Sequence, residues 1–416
     1  MHAHRRIVSV SFAIAVFAVA SCAVVGLIGE VQAQTAARAA SSAPSWPTHG
    51  WTKGSPASVG LDDRVLAALD ADLTSGKYAL VDSFAVFRCG AEVFDRTYSH
   101  DYGTLYAKEA KTRGPLNARL TGPYNYFDPA WHPYYHGTDL HTMQSVTKTV
   151  SSITIGIAIT RGDFKASLDT PLLKYFDVTK VKNVDDRKRR ITLRHVLTMS
   201  SGLDWNEEVA YDDPKNDADL MEATDDWVQY VIDRPMAHEP GKVFNYSSGG
   251  SELMAYIFEK ETGQDIAKYA QKYLFAPLGM DAYWKRSPMG VADTEGGLFL
   301  STTGLAKIGY LYLHDGMWDG QQIVSKDWVK QSVTPFIDAE EGFKYGYKWW
   351  LLPRTDKTGY IPMARGFGGQ RLMIFRDENL IAVFTGWDIL NDPSRDRELV
   401  NRILPAVHPY SCGVER

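Results

Sequence analysis

A serine and a lysine three residues apart, Ser145 and Lys148, stand at the head of an apolar run that ends at Arg161-Gly162. The run has the character of a buried helix with a glycine stop signal. Ser145 and Lys148 then share one helix face, within contact distance. A serine hydroxyl is a weak nucleophile unless a base lies beside it, and a lysine desolvated in an apolar pocket has a lowered pKa that suits it to be that base. The pattern predicts nucleophilic catalysis, but S-x-x-K is common in chains of this length, so the other motifs must decide.

Two later blocks carry groups that suit the same chemistry. Tyr246-Ser247-Ser248 follows a Pro-Gly turn and precedes a glycine-rich helix start, so it holds a phenol and two hydroxyls at a loop tip. A structural tyrosine is the alternative interpretation of Tyr246 taken alone. Gly366-Phe-Gly-Gly-Gln370 opens a late strand. The candidate groups are therefore dispersed along the chain, and only tertiary structure can bring them together.

The elements that must position these blocks indicate an α+β protein. Residues 61–73 have helical spacing with Ser58 as a candidate cap, and residues 83–95 alternate as a β-hairpin. Residues 191–202 predict an amphipathic helix that ends at a glycine. Two final strands lie between residues 370 and 386, before a C-terminal helix. This order predicts an antiparallel sheet flanked by helices, plus an all-helical lobe.

Residues 98–140 form an irregular, tyrosine-rich insertion in this pattern. Long irregular segments inside compact domains are more often functional lids than accidents. Because the insertion leads directly into Ser145, it is predicted to form a wall or cover of the site. The spacing of His132, His136 and His141 fits no standard metal site, so no metal is predicted there.

Length and composition exclude several classes of protein. The chain has 416 residues, of which 44% are hydrophobic, and it can bury a large core. Its formal net charge of −5 indicates neither nucleic-acid binding nor attraction to anionic lipid. Residues 34–54, rich in Ala, Ser and Pro, predict a linker before a folded domain at 55–410. Cys89 and Cys412 permit one disulfide in an oxidising compartment, and two unpaired cysteines are the alternative.

The first 33 residues predict export. Residues 1–6 are basic, residues 7–28 are almost wholly apolar, and Val31-Gln32-Ala33 resembles a small-x-small cleavage site. The apolar stretch is long enough to span a bilayer, so an uncleaved N-terminal anchor is the main alternative to a signal peptide. A lipobox-like sequence that ends at Cys22 offers lipidation as a second alternative.

In combination, the blocks resemble the motifs of the serine β-lactamase-related hydrolases. Two further segments contribute to this resemblance: Leu193-Arg-His-Val-Leu-Thr-Met-Ser-Ser-Gly-Leu203 and Gly297-Leu-Phe-Leu-Ser-Thr-Thr-Gly-Leu-Ala306. This superfamily includes class C β-lactamases, D-alanyl-D-alanine carboxypeptidases, family VIII esterases and 6-aminohexanoate-dimer hydrolases. The resemblance covers about residues 55–405 and implies a β-lactamase/transpeptidase-like fold without a cofactor.

The resemblance also implies a role for each residue of the site. Ser145 becomes the acylated nucleophile, Lys148 its base partner, and Tyr246 the phenol that moves a proton between nucleophile and leaving group. The N–H groups of Ser145 and Phe367 become the two oxyanion donors, as acyl transfer requires. The charge on Lys148 is expected to favour tyrosinate character in Tyr246. The implied substrate contacts are Ser248, Arg365, Gly366, Gly368 and, from the insertion, Tyr135.

Two departures from the lactamase pattern narrow the expected activity. The lactamase strand motif is Lys-Thr-Gly, but the literal Lys357-Thr358-Gly359 lies between Pro353 and Pro362 and is interpreted as a decoy. By register, Ala364-Arg365-Gly366 occupies the position of the lactamase motif. The lysine that helps bind the β-lactam carboxylate is then missing, although Arg365 could replace it if its side chain points inward. Ser248 stands where lactamases usually carry asparagine. Both changes favour an esterase or amidase.

The leading hypothesis is therefore an exported, cofactor-free serine hydrolase that cleaves a small ester or amide through an acyl-enzyme on Ser145. A true β-lactamase or a D-alanyl-D-alanine carboxypeptidase is the alternative among enzymes. A penicillin-binding or sensor module that stays acylated is the alternative of another class. The expected partner is a small molecule and not a nucleic acid, with membrane contact only through an N-terminal segment that is retained or lipidated. The sequence carries no signal for an oligomeric state.

Overall fold

A computed structural model describes residues 46–117, 119–210, 213–391 and 395–412. The predicted leader, with its anchor and lipidation alternatives, lies outside these residues. Within the described ranges, none of the helices combines the length and the apolar character that a membrane crossing requires.

The described residues form α-helices and β-strands throughout the chain. The α-helices are α1 (Asp63–Thr74), α2 (Tyr102–Leu105), α3 (Val146–Arg161), α4 (Leu193–Leu197), α5 (Asp217–Glu222), α6 (Trp227–Ile232), α7 (Ser248–Thr262), α8 (Ile266–Ala270), α9 (Thr302–Leu313), α10 (Lys326–Ser332) and α11 (Asp396–Ile403). The β-strands are β1 (Thr52–Lys53), β2 (Val81–Arg88), β3 (Ala91–Thr97), β4 (His141–Thr142), β5 (Ala282–Trp284), β6 (Leu298–Leu300), β7 (Met317–Trp318), β8 (Gln321–Gln322), β9 (Ile337–Asp338), β10 (Lys344–Tyr345), β11 (Trp350–Pro353), β12 (Tyr360–Gly366), β13 (Gln370–Phe375) and β14 (Leu380–Gly386).

The main sheet of the described residues has nine strands in the order β1-β3-β2-β14-β13-β12-β11-β10-β9. Its neighbours are antiparallel except for β1 and β3, which run parallel. Side chains alternate between the faces: Phe84 and Val86 pack with α1 and α11, whereas Ala85 and Phe87 pack with α3 and α9. Helices thus cover both faces of the sheet, and the predicted α+β fold is confirmed.

Helix α3 packs against strand β12 and against helices α7 and α8. It is buried from Val146 to Ala158, which explains why its sequence is apolar around most of its circumference. A β-carbon at Gly156 would lie 2.4 Å from the Trp328 ring, so glycine permits the close approach of α10 to α3. A small sheet of β4, β6 and β5 is tied to the start of α3, where the Leu298 N–H donates to Thr147 Oγ1 at 3.0 Å. The lobe predicted to be all-helical therefore has a small sheet beside it, and this sheet helps to position the start of α3.

The folded domain begins earlier than predicted. Trp51, inside the predicted linker of residues 34–54, is only 9% exposed, and its ring lies 4.5 Å from that of Phe87. Trp46 and Trp51 both pack on the hydrophobic core. Burial of their large apolar rings is favourable, so this segment is part of the folded domain and not an exposed linker. Cys89 and Cys412 are both disulfide-bonded.

Two predicted helices differ in their ends. The amphipathic pattern of residues 191–202 yields only the short α4, because Met199 and Gly202 adopt φ values of +53° and +78° that a helix cannot contain. At α1, the cap is Asp62, whose carboxylate accepts from the Arg64 N–H at 2.9 Å. The predicted cap, Ser58, lies instead in a preceding 3₁₀ turn.

Candidate active site

Ser145 is the residue immediately before α3, and its hydroxyl faces Lys148. The Lys148 Nζ lies 2.8 Å from Ser145 Oγ and donates to the carbonyl oxygen of Glu295, also at 2.8 Å. The lysine is only 2% exposed. Gln144, just before the serine, has a φ of +47°, a strained value for a non-glycine residue. Such strain persists only where the surrounding structure imposes it, and it clusters at active sites.

The structure brings Tyr246 to the same point. Its hydroxyl interacts with both Ser145 and Lys148, and the lysine Nζ lies 5.2 Å from the centre of the tyrosine ring. The ring lies against Trp350, with 5.7 Å between the ring centres. Ser247 caps α7 by accepting the Gly250 N–H at 2.8 Å, which holds the preceding tyrosine at the end of the loop. Serine, lysine and tyrosine therefore form one cluster.

The electrostatics of the cluster differ from those predicted. Burial lowers the pKa of Lys148, but Tyr246, Glu207 and Glu295 raise it, and the net shift is upward. Burial also raises the pKa of Tyr246, and the neighbouring Lys148 charge lowers it by less. The net pKa shift of Lys148 is thus opposite to the predicted one. The Lys148 charge does favour the tyrosinate form of Tyr246, as expected, but burial outweighs this effect. Near neutral pH the pair is an ammonium and a neutral phenol.

The backbone around Gly366 brings Phe367 to the nucleophile. A β-carbon at Gly366 would lie 2.3 Å from the carbonyl oxygen of Met143, so glycine permits β12 to approach the chain just before Ser145. Phe367 lies in the turn between β12 and β13, rather than on a strand as predicted. The two proposed oxyanion donors thus come from the head of α3 and from this turn.

Two spaces meet at Ser145 and Phe367. The outer cavity, of about 320 Å³, also has Glu207, Ala210, Tyr246, Glu340, Glu341, Trp350, Arg365, Gly366, Arg371, Ile389 and Leu390 in its lining. The inner chamber, of about 30 Å³, also has Leu116, Tyr126, Gln144, Lys148, Ala218, Asp219, Glu222, Ser248, Glu295 and Gly296 in its lining. Leu116 and Tyr126 belong to the irregular insertion, which therefore forms a wall of the site.

The structure places the predicted substrate-contact residues in different parts of the protein. Gly366 lines the outer cavity, and Ser248 lines the inner chamber. Arg365 lines the outer cavity, but its Nε lies 2.8 Å from Asp396 Oδ2. Gly368 lines a separate pocket. Tyr135 lies away from both spaces and stacks on Tyr283 with 3.9 Å between ring centres, because two aromatic faces bury more area together. Tyr135 is therefore not among the predicted contacts that line either space.

The Lys357-Thr358-Gly359 sequence lies outside the site. It belongs to the connection between β11 and β12, and Lys357 Nζ lies 2.9 Å from both Asp377 and Glu378. These acidic partners explain its surface position, in agreement with its interpretation as a decoy.

Sequence reasoning missed two acidic residues of the site. Glu207 lies in the acidic loop before α5 and accepts from the Ser248 hydroxyl at 2.6 Å and from its N–H at 2.7 Å. The serine in the usual asparagine position is thus turned toward a carboxylate. Glu295 contributes a main-chain carbonyl to Lys148, a role that no side-chain pattern reveals. Its position just before the Gly296-Gly297 pair was the only available signal.

Comparisons with known proteins agree with this geometry. The chain is 24% identical over 274 residues to the 6-aminohexanoate-dimer hydrolase of Paenarthrobacter ureafaciens, covering 60% of this chain and 67% of the relative. It is 27% identical over 148 residues to esterase EstB of Burkholderia gladioli, covering 34% and 37% of the two chains. The fold matches the crystal structure of a family VIII carboxylesterase with a TM-score of 0.57 and 15% identity, covering 83% of this chain and 97% of the other. The Beta-lactamase family model matches residues 79–386, so the resemblance predicted from the motifs is confirmed and the chain belongs to the β-lactamase family.

Proposed function

We propose that the protein is an exported serine hydrolase that cleaves a small ester or amide through an acyl-enzyme on Ser145. The observation that carries this proposal is the contact of 2.8 Å between Ser145 Oγ and the buried Lys148 Nζ, with the Tyr246 hydroxyl interacting with both. A nucleophile, a proton relay and a helix start occupy one point, as acyl transfer requires.

The proposed reaction uses these groups in two steps. When the Lys148–Tyr246 pair has lost one proton, it accepts the Ser145 proton while Oγ attacks the carbonyl carbon. The N–H groups of Ser145 and Phe367 stabilise the resulting oxyanion. Tyr246 then passes the proton to the leaving group as the tetrahedral intermediate collapses to the acyl-enzyme. Water then attacks the acyl carbon and gives its proton to the same pair, which passes it to Ser145 Oγ as the acid is released.

Two features support an ester or amide over a β-lactam. Arg365, in the register of the lactamase lysine, binds Asp396, and its guanidinium lies 4.5 Å from the centre of the Trp350 ring. Ser248, in the usual asparagine position, hydrogen-bonds Glu207. Groups with such partners are less available to a lactam carboxylate and amide. The names of the two relatives, a 6-aminohexanoate-dimer hydrolase and an esterase, favour the same class.

Export is part of the proposal and is supported by the basic and apolar leader of residues 1–28. The oxidised state of Cys89 and Cys412 suits the same compartment. Secretion of a tagged full-length chain, followed by N-terminal sequencing of the product, would show whether and where the leader is cleaved. Retention of the tagged chain in the cytoplasm would contradict export.

The test is intact-mass analysis of the purified protein with p-nitrophenyl esters, linear amides and β-lactams. We expect a transient acyl adduct and turnover with an ester or amide, and neither with Ser145→Ala. Ser75→Ala, which removes an exposed serine at the end of α1, is the matched control. Preferential turnover of a β-lactam would indicate a lactamase, and a permanent adduct would indicate a sensor or penicillin-binding module. Full turnover by Ser145→Ala would refute the assignment of the nucleophile.

A further inference from the structure

The two spaces that meet at Ser145 would receive the two halves of a substrate. Ser145 and Phe367 line both spaces, so a carbonyl held between them has one substituent in each. Tyr246, which protonates the leaving group in the proposed mechanism, lines the outer cavity. A leaving group must lie within hydrogen-bonding reach of the acid that protonates it. On the basis of the proposed function, the outer cavity therefore takes the leaving group, and the inner chamber takes the acyl group.

The inner chamber admits only a short acyl group. Its volume is about 30 Å³, against about 320 Å³ for the outer cavity. One water-sized group occupies about 10–15 Å³ of such a volume, so the chamber holds about two non-hydrogen atoms. Leu116 and Tyr126 in its wall are both buried, and the Tyr126 hydroxyl donates to Glu222. A longer chain would have to displace these packed side chains.

The chamber is lined by carboxyl groups. Asp219, Glu222 and Glu295 are all buried there. Glu295 is 5% exposed; its carboxyl interacts with that of Glu222, and its Oε1 has no hydrogen-bond donor among the described residues. A buried acceptor without a donor is costly, and a ligand that supplies the donor recovers that free energy. An alkyl acyl group would leave this oxygen unpaired.

An amino group suits this lining better than a hydroxyl. A primary ammonium presents three donors, whereas a hydroxyl presents one. Burial raises the pKa of Glu222 and of Glu295, so an amine that enters can share a proton with either carboxyl. The Lys148 ammonium is engaged by Ser145 and the Glu295 carbonyl. The buried Lys285 acts on Glu222, so Glu295 Oε1 is the acceptor that a ligand would meet.

We propose that the inner chamber is an acyl-binding site for a short α-amino acyl group, so that the substrates are glycyl-type esters or amides with a large leaving group. In such a group the α-carbon and the amine are the two atoms that the chamber accommodates. The amine would donate to Glu295 Oε1 and to the neighbouring carboxyls. The large leaving group would occupy the outer cavity beside Tyr246 and Trp350.

The test compares amides of 7-amino-4-methylcoumarin that carry glycyl, hydroxyacetyl, acetyl and hexanoyl groups. With one leaving group throughout, differences in kcat/KM report the acyl site alone. We expect glycyl to exceed acetyl by about tenfold or more, and acetyl to exceed hexanoyl by a similar factor, with hydroxyacetyl between glycyl and acetyl. Equal rates for glycyl and acetyl would overturn the amine preference. Equal rates for hexanoyl and acetyl would overturn the limit on chain length.

Variants locate the preference in the chamber. Glu295→Gln and Glu222→Gln should each lower the ratio of glycyl to acetyl kcat/KM by about fivefold or more, and Leu116→Ala should raise the hexanoyl rate relative to acetyl. Glu208→Gln, the same change at an exposed site outside both spaces, is the matched control. Labelling by a fluorophosphonate shows that each variant has a formed site. An unchanged ratio in both chamber variants would overturn the inference.

Failure of the inference and failure of the proposed function give different results. Activity that disappears with Ser145→Ala but prefers hexanoyl over glycyl would overturn only the acyl-chamber inference. Activity that survives Ser145→Ala, or the absence of any Ser145 adduct with all four amides and with p-nitrophenyl acetate, would overturn both.

Discussion

Replacing Lys148 by methionine removes the ammonium but keeps an unbranched side chain in its place. Two contacts of 2.8 Å are lost, one to Ser145 Oγ and one to the Glu295 carbonyl. General acid–base catalysis contributes about 10²–10⁴ in rate, so we expect kcat/KM for p-nitrophenyl acetate to fall by about 10³. At 1.36 kcal/mol for each factor of ten, this loss is about 4 kcal/mol of transition-state stabilisation. Leaving the Glu295 carbonyl without its donor should lower the free energy of unfolding by about 1–3 kcal/mol. Removal of the buried Lys148 charge partly offsets this loss, because the charge is no longer desolvated.

Lys348→Met is the matched control for this prediction. Lys348 is as buried as Lys148, at 1% exposure, but its Nζ contacts Ser251 Oγ at 3.0 Å and Met199 Sδ at 3.2 Å instead of the nucleophile. Burial, and to a smaller extent the Lys148 charge, lower its pKa well below the usual value. We expect its kcat/KM to stay within about fivefold of wild type. Retention of more than about a tenth of kcat/KM by Lys148→Met, or equal losses in both variants, would refute the proton-relay role.

Three further predictions follow from the same geometry. Because both pKa shifts in the Lys148–Tyr246 pair are upward, the proton is retained at neutral pH and kcat/KM should rise with pH above neutrality; a profile that peaks at or below pH 7 would contradict this. Lys357→Ala should leave esterase kcat/KM within about twofold of wild type, and a large loss would return the strand motif to that lysine. Gly156→Ala should lower the free energy of unfolding by about 1–3 kcal/mol in urea titration, because its β-carbon meets the Trp328 ring; unchanged stability would show that α10 yields.

Local sequence sufficed for the parts of the site that lie close together in the chain. Ser145 and Lys148 are one helical turn apart, and helical geometry alone brings their side chains into contact. The hairpin of β2 and β3 was likewise predicted, because period-two alternation and a Cys89-Gly90 turn are local signals; both turn residues adopt positive φ. The proline-bounded Lys357 sequence was recognised as a decoy for a similar reason.

Tertiary structure decided the charge states and the shape of the site. The predicted low pKa of Lys148 considered burial alone, whereas Tyr246, and then Glu207 and Glu295, all from distant segments, raise the pKa and reverse the shift. Coulomb energies depend on distance in space and on the local dielectric, neither of which sequence spacing specifies. The inner chamber likewise exists only because the insertion, α5 and the loop before β6 converge on the head of α3. The sequence by itself determined which groups are available for chemistry and which local elements carry them; the packing of remote segments decided their protonation and the space left for a substrate, because both depend on contacts that close only in the folded chain.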